Sequence, residues 1–151
     1  MTDTLTPEER SRNMSAIRSR DTGPEVWLRK CLFALGYRYR IADKSIPGHP
    51  DIFLRKWNTA VFIHGCFWHR HNGCKYAYMP KSRLEFWTAK FNANVRRDMK
   101  VKEQLSNMGI RQMIIWECTV EKMQKSPEVR DEMLKRLVNF LKDTGSDELE
   151  L

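Results

Sequence analysis

The sequence predicts a single α/β domain with a mixed β-sheet and helices on both faces of the sheet. Segments with helical apolar spacing and short apolar runs of strand length follow each other as two helices, three strands, then helix, strand and helix. The chain of 151 residues is long enough for one hydrophobic core. Its 41% hydrophobic and 11% aromatic residues are typical of a folded protein. These features argue against a multidomain enzyme, a membrane protein and a fibre.

Two helices are predicted at the N-terminus. The first begins at residues 6–9, where Thr at the N-cap, Pro at N1 and Glu at N3 form a capping box. Residues 10–20 contain only Met14 and Ile17 as sizeable apolar groups, so we expect this segment to lie on a surface and to order against a partner. The second helix begins near Gly23, has a broad apolar face and ends before Gly36, which stands at the C′ position.

The remaining elements follow from strand-length apolar runs and from caps. A capping box at 82–85 predicts a long helix that ends near Met108 and is closed by Gly109. Ser126, followed by Pro and Glu, starts a final helix. Strands are predicted at 37–41, 51–54, 60–64 and 110–116.

The positive charge is concentrated in two parts of the chain. The formal net charge is +8 and the sequence pI is about 9.5. Residues 9–40 carry eight basic and three acidic side chains, and residues 70–103 carry nine and three. Residues 143–151 carry four acidic side chains and no basic one. A basic body with an acidic tail indicates a polyanionic partner such as nucleic acid, the alternative being a solvated basic face.

Four residues with zinc-ligating side chains fall in or beside the irregular segment 65–80. They are Cys66, His71, Cys74 and Cys118. Three thiolates and one imidazole are a standard tetrahedral zinc set, and a metal would hold a loop that has no core of its own. The alternative is a chance group of unliganded residues. Cys31, on the apolar face of the second helix, is interpreted as a small buried hydrophobe.

A second group of residues suits a hard divalent cation. Asp51 stands at the start of one predicted strand, and residues 61–64 belong to the next. A carboxylate at a strand end and a main-chain carbonyl on the neighbouring strand can share Mg²⁺. His64 and His69 would flank the ion as proton acceptors. The alternative for Asp51 is an ordinary turn residue.

Large aromatic side chains stand in the same irregular segment, at Phe67 and Trp68, and near the start of the long helix, at Phe86 and Trp87. One interpretation is that they close the hydrophobic core over the loop. The other is a wedge that enters between base steps and kinks DNA. The basic residues of 75–102 would surround such a wedge with charge that attracts phosphate.

The run Phe-Ile-His-Gly-Cys-Phe-Trp-His-x-His at 62–71 closely resembles the signature of the very-short-patch repair (Vsr) endonucleases. Members of this family nick one strand of DNA beside a T:G mismatch left by deamination of 5-methylcytosine. The resemblance covers nearly the whole chain. The other segments that carry it are 12–17, 20–22, Glu25, 45–51, 85–87, 94–98 and 116–118.

The resemblance implies a restriction-endonuclease-like core with an altered catalytic motif, in which 62–64 replaces the usual acid-x-Lys. It implies Asp51 and the main-chain carbonyl of Ile63 as Mg²⁺ ligands. It implies His69 as the residue that activates water. His64 and Glu25 are implied to support metal-bound waters and the scissile phosphate, and Asn94 matches a position near that phosphate.

The resemblance also assigns the zinc ligands and the DNA-contacting residues. The implied structural zinc ligands are Cys66, His71, Cys74 and Cys118. The aromatics implied to enter the DNA at the mismatch are Phe67, Trp68 and Trp87. The N-terminal helix with Met14 matches an element that approaches from the minor groove.

From these observations we expect an N-terminal DNA-contacting helix at 1–20, an endonuclease domain at 21–142 and a flexible acidic tail at 143–151. The expected function is a Mg²⁺-dependent nicking endonuclease for T:G mismatches in double-stranded DNA. The alternatives are a restriction-type nuclease on matched DNA and a non-catalytic, zinc-stabilised DNA-binding protein.

The cellular compartment and the oligomeric state are predicted from patterns that the sequence lacks. Without an apolar secretory segment at the N-terminus, the protein is expected in the cytoplasm, where thiols are reduced. Without a strong heptad pattern, a monomer is expected. Mismatch-repair proteins are candidate partners, and no membrane is involved.

Overall fold

The computed structural model describes residues 22–151. The capping box predicted at 6–9 and the N-terminal helix with Met14 lie outside the described residues. The helices are α1 (Gly23–Ala34), α2 (Leu84–Asn107), α3 (Glu117–Lys125) and α4 (Pro127–Lys142). The strands are β1 (Arg40–Ile41), β2 (Ile52–Leu54), β3 (Thr59–His64), β4 (Arg111–Trp116) and β5 (Glu148–Glu150).

The five strands form one mixed sheet in the order β1-β2-β3-β4-β5. The first three pair antiparallel, as expected for strands joined by short connections. β3 and β4 pair parallel through six residue pairs, from Thr59↔Arg111 to His64↔Trp116. Their carboxyl ends therefore lie side by side. The mixed sheet predicted from the sequence is confirmed.

Helices cover both faces of the sheet, also as predicted. Alternate residues of β3 point to opposite faces, so Val61 packs with α1, α3 and α4 while Phe62 packs with α2. The first core contains Leu28, Leu32, Val120, Leu137 and Phe140, and the second contains Phe53, Ala60, Phe62, Leu105 and Ile110. No helix within residues 22–151 is long and apolar enough to cross a membrane.

The capping box predicted at 82–85 is wrong. The N-cap of α2 is Arg83, which enters the helix in the left-handed region at φ 56°, and no side chain caps the first turn. The predicted closure by Gly109 is confirmed, with φ 69° at that residue. The cap at Ser126 is also confirmed, because its hydroxyl accepts a hydrogen bond from the Val129 N–H.

The prediction of a flexible acidic tail at 143–151 is wrong for its last residues. Glu148–Glu150 pair in parallel register with β4, and Leu151 is 8% exposed in the core. Leucines that alternate with acids are the pattern of a half-buried strand, which the charge count obscured. The guanidinium of Arg111 donates to the carbonyls of Phe140, Asp143 and Ser146 and so fixes the turn before β5.

Two further elements differ from the sequence prediction. The strand expected at 37–41 pairs only at Arg40–Ile41. α3 was not predicted, because it follows β4 directly with no capping side chain and buries only Val120 and Met123.

Candidate active site and metal centre

A cleft of about 410 Å³ opens at the carboxyl end of β3, between the sheet and α2. It brings together the residues for which the sequence predicted a catalytic or Mg²⁺-binding role. These are Glu25, Asp51, Ile63, His64, His69 and Asn94. Arg97 and Asp98 of α2 line the same cleft, and no role was predicted for either residue from the sequence.

Asp51 is held against the end of β3. Its Oδ2 accepts a hydrogen bond of 2.7 Å from the N–H of Ile63. The β2–β3 register ends at Ile52↔Val61, so the carboxylate takes the place of a β2 partner for Ile63, which pairs with β4 on its other side. The N–H and C=O of one strand residue face the same side. The Ile63 carbonyl therefore faces the side on which the Asp51 carboxylate lies.

The cleft gathers acidic groups that are shielded from water. Burial raises the pKa of Asp51 to about 7, and the Glu25 carboxylate adds to the rise. Glu25, in the first turn of α1, is 4% exposed and accepts a hydrogen bond of 3.4 Å from Arg29. Carboxylate and carbonyl oxygens are the donors that hard divalent cations prefer. The donor set therefore fits a divalent cation with Asp51 and Ile63 as protein ligands.

His69 pairs with an acidic side chain that was not predicted from the sequence. Its Nδ1 lies 2.7 Å from Oδ2 of Asp98 on α2. A carboxylate at Nδ1 fixes the tautomer in which Nδ1 carries the proton, which leaves Nε2 able to accept one. The i,i+4 spacing of Asn94 and Asp98, which places both on one helix face, is the signal that could have found it.

His64 stacks on His69, with ring centroids 3.8 Å apart and an angle of 7° between the planes. Burial lowers the pKa of His64 to about 4, and the neighbouring His69 contributes to the lowering. His64 is therefore neutral at pH 7. A neutral ring can donate one hydrogen bond in the cleft and does not repel a protonated His69.

Asn94 ties the loop after β3 to α2. Its Nδ2 donates to the main-chain carbonyl of Trp68 at 3.1 Å. Trp68 directly precedes His69, so this bond and the His69–Asp98 pair hold the same short stretch against one helix. The loop starts with a helical turn in which the His69 N–H donates to the Gly65 carbonyl.

The structure gathers all four predicted zinc ligands. The ligand atoms of Cys66, His71, Cys74 and Cys118 lie within 4.8 Å of one another. Cys118 Sγ and His71 Nδ1 are 3.4 Å apart. Tetrahedral bonds of about 2.3 Å to sulfur and 2.0–2.1 Å to nitrogen would place two such ligands about 3.5 Å apart.

The electrostatics of this cluster favour a bound dication. Without a metal, burial raises the pKa of the Cys66 thiol to about 12. Three thiols this close can ionise together only beside a strong positive charge, and Zn²⁺ supplies one. The residues present therefore fit a structural zinc ion.

Phe67, Trp68 and Trp87 form an aromatic cluster beside the cleft. The Phe67 centroid is 5.1 Å from Trp68 and 5.6 Å from Trp87, and all three residues are half-buried. Phe91 lies beneath them and is buried. Tyr78, for which no role was predicted from the sequence, packs on Phe67 and is 63% exposed. The cluster thus packs on the core and still presents aromatic surface to a partner.

Arg70 organises the loop that carries these aromatics. Its guanidinium donates hydrogen bonds to the carbonyls of Phe67, Ala77 and Tyr78. It also lies 3.9 Å from the ring centroid of Phe91, in cation–π contact. One side chain therefore joins both ends of the loop to α2.

Comparison with known proteins connects these observations to a family. The family model for the DNA mismatch endonuclease Vsr matches residues 2–75. The type II nicking enzyme V.NmeAIP of Neisseria meningitidis is 44% identical over 143 residues, which cover 95% of this chain and 99% of that protein. The DNA mismatch endonuclease Vsr of Escherichia coli K12 is 37% identical over 147 residues, 97% of this chain and 92% of that protein. The type II nicking enzyme V.XorIIP of Xanthomonas oryzae pv. oryzae is 43% identical over 118 residues, 78% and 86% respectively.

The mixed sheet, the acidic and histidine-lined cleft and these relatives together define a DNA endonuclease with a restriction-endonuclease-like core. The chain belongs to the Vsr family of DNA mismatch endonucleases. The resemblance noted at residues 62–71 is therefore confirmed.

Proposed function

We propose that this endonuclease nicks one strand of double-stranded DNA at a T:G mismatch, with Mg²⁺ in the cleft and Zn²⁺ in the loop. The observation that carries the proposal is the aromatic cluster, which adjoins the catalytic cleft along the chain. Trp68 belongs to the cluster, His69 belongs to the cleft, and the two are neighbours in the sequence. A contact with unstacked bases would therefore bring His69 to an adjacent phosphate.

Mg²⁺ would be held by the Asp51 carboxylate and the Ile63 carbonyl, where its charge would stabilise the phosphate oxygens as negative charge develops. His69 accepts the proton of the attacking water at Nε2, because Nδ1 is engaged with Asp98. The water oxygen forms a bond to phosphorus as the bond to the 3′-oxygen breaks, and the leaving 3′-oxygen takes up a proton from solvent water. Glu25, His64 and Asn94 line the cleft and orient the water and the phosphate.

Mismatch preference follows from the energy of unstacking. A T:G wobble pair is more easily unstacked than a Watson–Crick pair, so a protein that inserts aromatic side chains meets a lower deformation cost there. Exposed basic side chains on α2, Lys90, Arg96 and Lys100, add attraction for phosphates that does not depend on sequence. Phe67, Trp68 and Trp87 therefore supply discrimination, and the basic residues supply affinity.

The test is a nicking assay on two duplexes that differ only in the central base pair, which is T:G in one and C:G in the other. Each duplex is assayed with Mg²⁺ and with EDTA. We expect nicking of one strand of the T:G duplex with Mg²⁺ only. Equal cleavage of both duplexes would favour a restriction-type nuclease that acts on matched DNA. Binding without cleavage would favour a non-catalytic DNA-binding protein.

A further inference from the structure

Trp116, the last residue of β4, lies between the zinc cluster and the catalytic cleft. One face of its indole stacks on His71, with centroids 4.1 Å apart and an angle of 5° between the planes. The indole also meets His64 in a T-shaped arrangement, with centroids 5.4 Å apart and an angle of 73° between the planes. Because His64 and Trp116 are partners in the parallel register, their side chains stand next to each other on the α2 face of the sheet. His64 in turn stacks on His69.

The C-terminal strand holds this indole in place. Trp116 Nε1–H donates to Oε1 of Glu150 on β5 at 2.6 Å. The Trp116 main-chain N–H donates to the carbonyl of Leu151. Trp116 itself is 7% exposed, so its ring cannot turn without disturbing neighbours on both sides. A hydrogen bond donated to a charged acceptor fixes the one polar atom of a ring that is otherwise held by packing alone.

We propose that Trp116 is a positioning residue, which holds the His64–His69 pair in a fixed place relative to the zinc centre. Glu150 fixes the orientation of the Trp116 ring. The inference rests on the proposed roles of His64 and His69 in DNA nicking. Each link in the row from His71 through Trp116 and His64 to His69 is a direct ring contact. A rotation of the indole would therefore move His64 and, through it, His69, the proposed general base. The surface that contacts DNA would remain intact.

The acidic residues of β5 give a matched set of variants. Glu150→Ala removes the acceptor, Glu150→Gln keeps an oxygen that can accept the bond, and Glu148→Ala removes the other exposed acid of β5. Glu148 pairs with Lys102 at 2.8 Å through side chains that are more than half exposed, so its loss costs little. Trp116→Phe keeps an aromatic ring but lacks the N–H.

The zinc-loaded full-length protein and its variants are compared by single-turnover nicking at saturating T:G duplex and by their affinity for the duplex. Zinc content is measured on the same samples, and NMR records the signals of the indole N–H and the histidine rings. Glu150→Ala should nick about 10- to 100-fold more slowly, with affinity for DNA and zinc content unchanged. A loss of this size is usual when a residue that orients a site residue by a hydrogen bond is removed. Its indole and His64 signals should shift. Glu150→Gln should restore the rate, and Glu148→Ala should match the wild type.

The double variant Trp116→Phe/Glu150→Ala tests whether Trp116 and Glu150 act through the same hydrogen bond. If the two residues act through one hydrogen bond, the double variant should nick no more slowly than Trp116→Phe alone. The proposal is overturned if Glu150→Ala nicks at the wild-type rate, or if its rate falls only together with its zinc content. His69→Ala, run in parallel, separates this result from a failure of the proposed function, because wild-type nicking by that variant would remove the catalytic assignment itself.

Discussion

Asp98 Oδ2 and His69 Nδ1 lie 2.7 Å apart, although the two residues are separated by 29 positions in the sequence. One belongs to α2 and the other to the loop after β3, so the pair forms only when the helix packs across the end of the sheet. The side chains are 28% exposed for Asp98 and 30% exposed for His69, so the pair lies at the surface of the cleft and is accessible to water. The carboxylate holds the imidazole in the orientation and tautomer that a general base requires.

Replacing Asp98 by Asn should therefore slow nicking far more than it weakens DNA binding. An amide can present its N–H to Nδ1 and so stabilise the wrong tautomer, and in comparable pairs this costs on the order of 10²- to 10⁴-fold in rate. Single-turnover nicking and duplex affinity are measured together. Glu103→Gln, an exposed acid on the same helix, is the control and should behave as the wild type. Equal rates for the two variants would show that the carboxylate of Asp98 has no role.

The affinity for Mg²⁺ should depend on pH through Asp51. Its folded-state pKa of about 7 lies above its ordinary value of 3.8, so without metal the fold favours the protonated carboxyl. That contribution to stability is complete below pH 3.8 and is lost as the pH rises through 7. Mg²⁺ requires the ionised form, so its affinity should rise up to pH 7 and level off above it.

Calorimetric titration of Mg²⁺ at a series of pH values below and above 7 checks whether the affinity rises with pH. His64, with a pKa of about 4, stays neutral from pH 6 upward and does not contribute. Asp51→Asn keeps an oxygen that can accept the Ile63 N–H and should show weak, pH-independent binding. An affinity for Mg²⁺ that falls as the pH rises from 6 to 7 would contradict the assignment.

Removing a zinc ligand should destabilise the whole domain. Cys118 is the second residue of α3 and Cys66 belongs to the loop after β3, so the metal would join two distant segments of the chain. Binding free energy at such a site is folding free energy. Cys66→Ala and Cys118→Ala should each lower both the thermal midpoint and the zinc content measured by elemental analysis. Cys31→Ala, which lies outside the cluster, should keep its zinc, and a purified wild-type protein without stoichiometric zinc would refute the prediction.

The aromatic cluster should govern discrimination. Trp68→Ala should lose roughly 1–3 kcal/mol of stacking on the bases. It should reduce nicking of the T:G duplex more than it reduces salt-dependent binding to C:G duplex. Circular dichroism verifies that the variant folds. Phe33→Ala is the control, because Phe33 is 55% exposed at the end of α1, outside the cluster. A folded Trp68→Ala protein with unchanged T:G preference would exclude the wedge.

Much of the site was predictable because its residues are close in the sequence. His64, Cys66, Phe67, Trp68, His69 and His71 all stand in one strand and the loop that follows it, so the local motif indicated both the cleft and the zinc cluster. Asp98 and Trp116 were missed because their roles depend on partners far along the chain. Neither residue type is unusual where it stands. Only the packing of α2 and the parallel pairing of β3 with β4 bring them to the histidines.

The C-terminal strand was missed for a related reason. Four acidic side chains in residues 143–151 dominate the composition and favour a solvated tail. The leucines that alternate with these acids favour a strand, but β5 is held by its pairing with β4 and by the turn that Arg111 fixes, and both partners lie far away in the sequence. By contrast, the helix ends at Gly36 and Gly109 were predictable because left-handed C′ positions favour glycine, and both have positive φ.

The most direct test of the account is single-turnover nicking of a T:G duplex by Asp51→Asn, with duplex affinity measured on the same samples. The substitution keeps the hydrogen bond to Ile63 and removes the charge that would hold the cation. We predict that nicking falls by at least about 10²-fold while affinity for the mismatched duplex stays near that of the wild type. Near-wild-type nicking by the folded variant would contradict the assignment of this cleft as the active site.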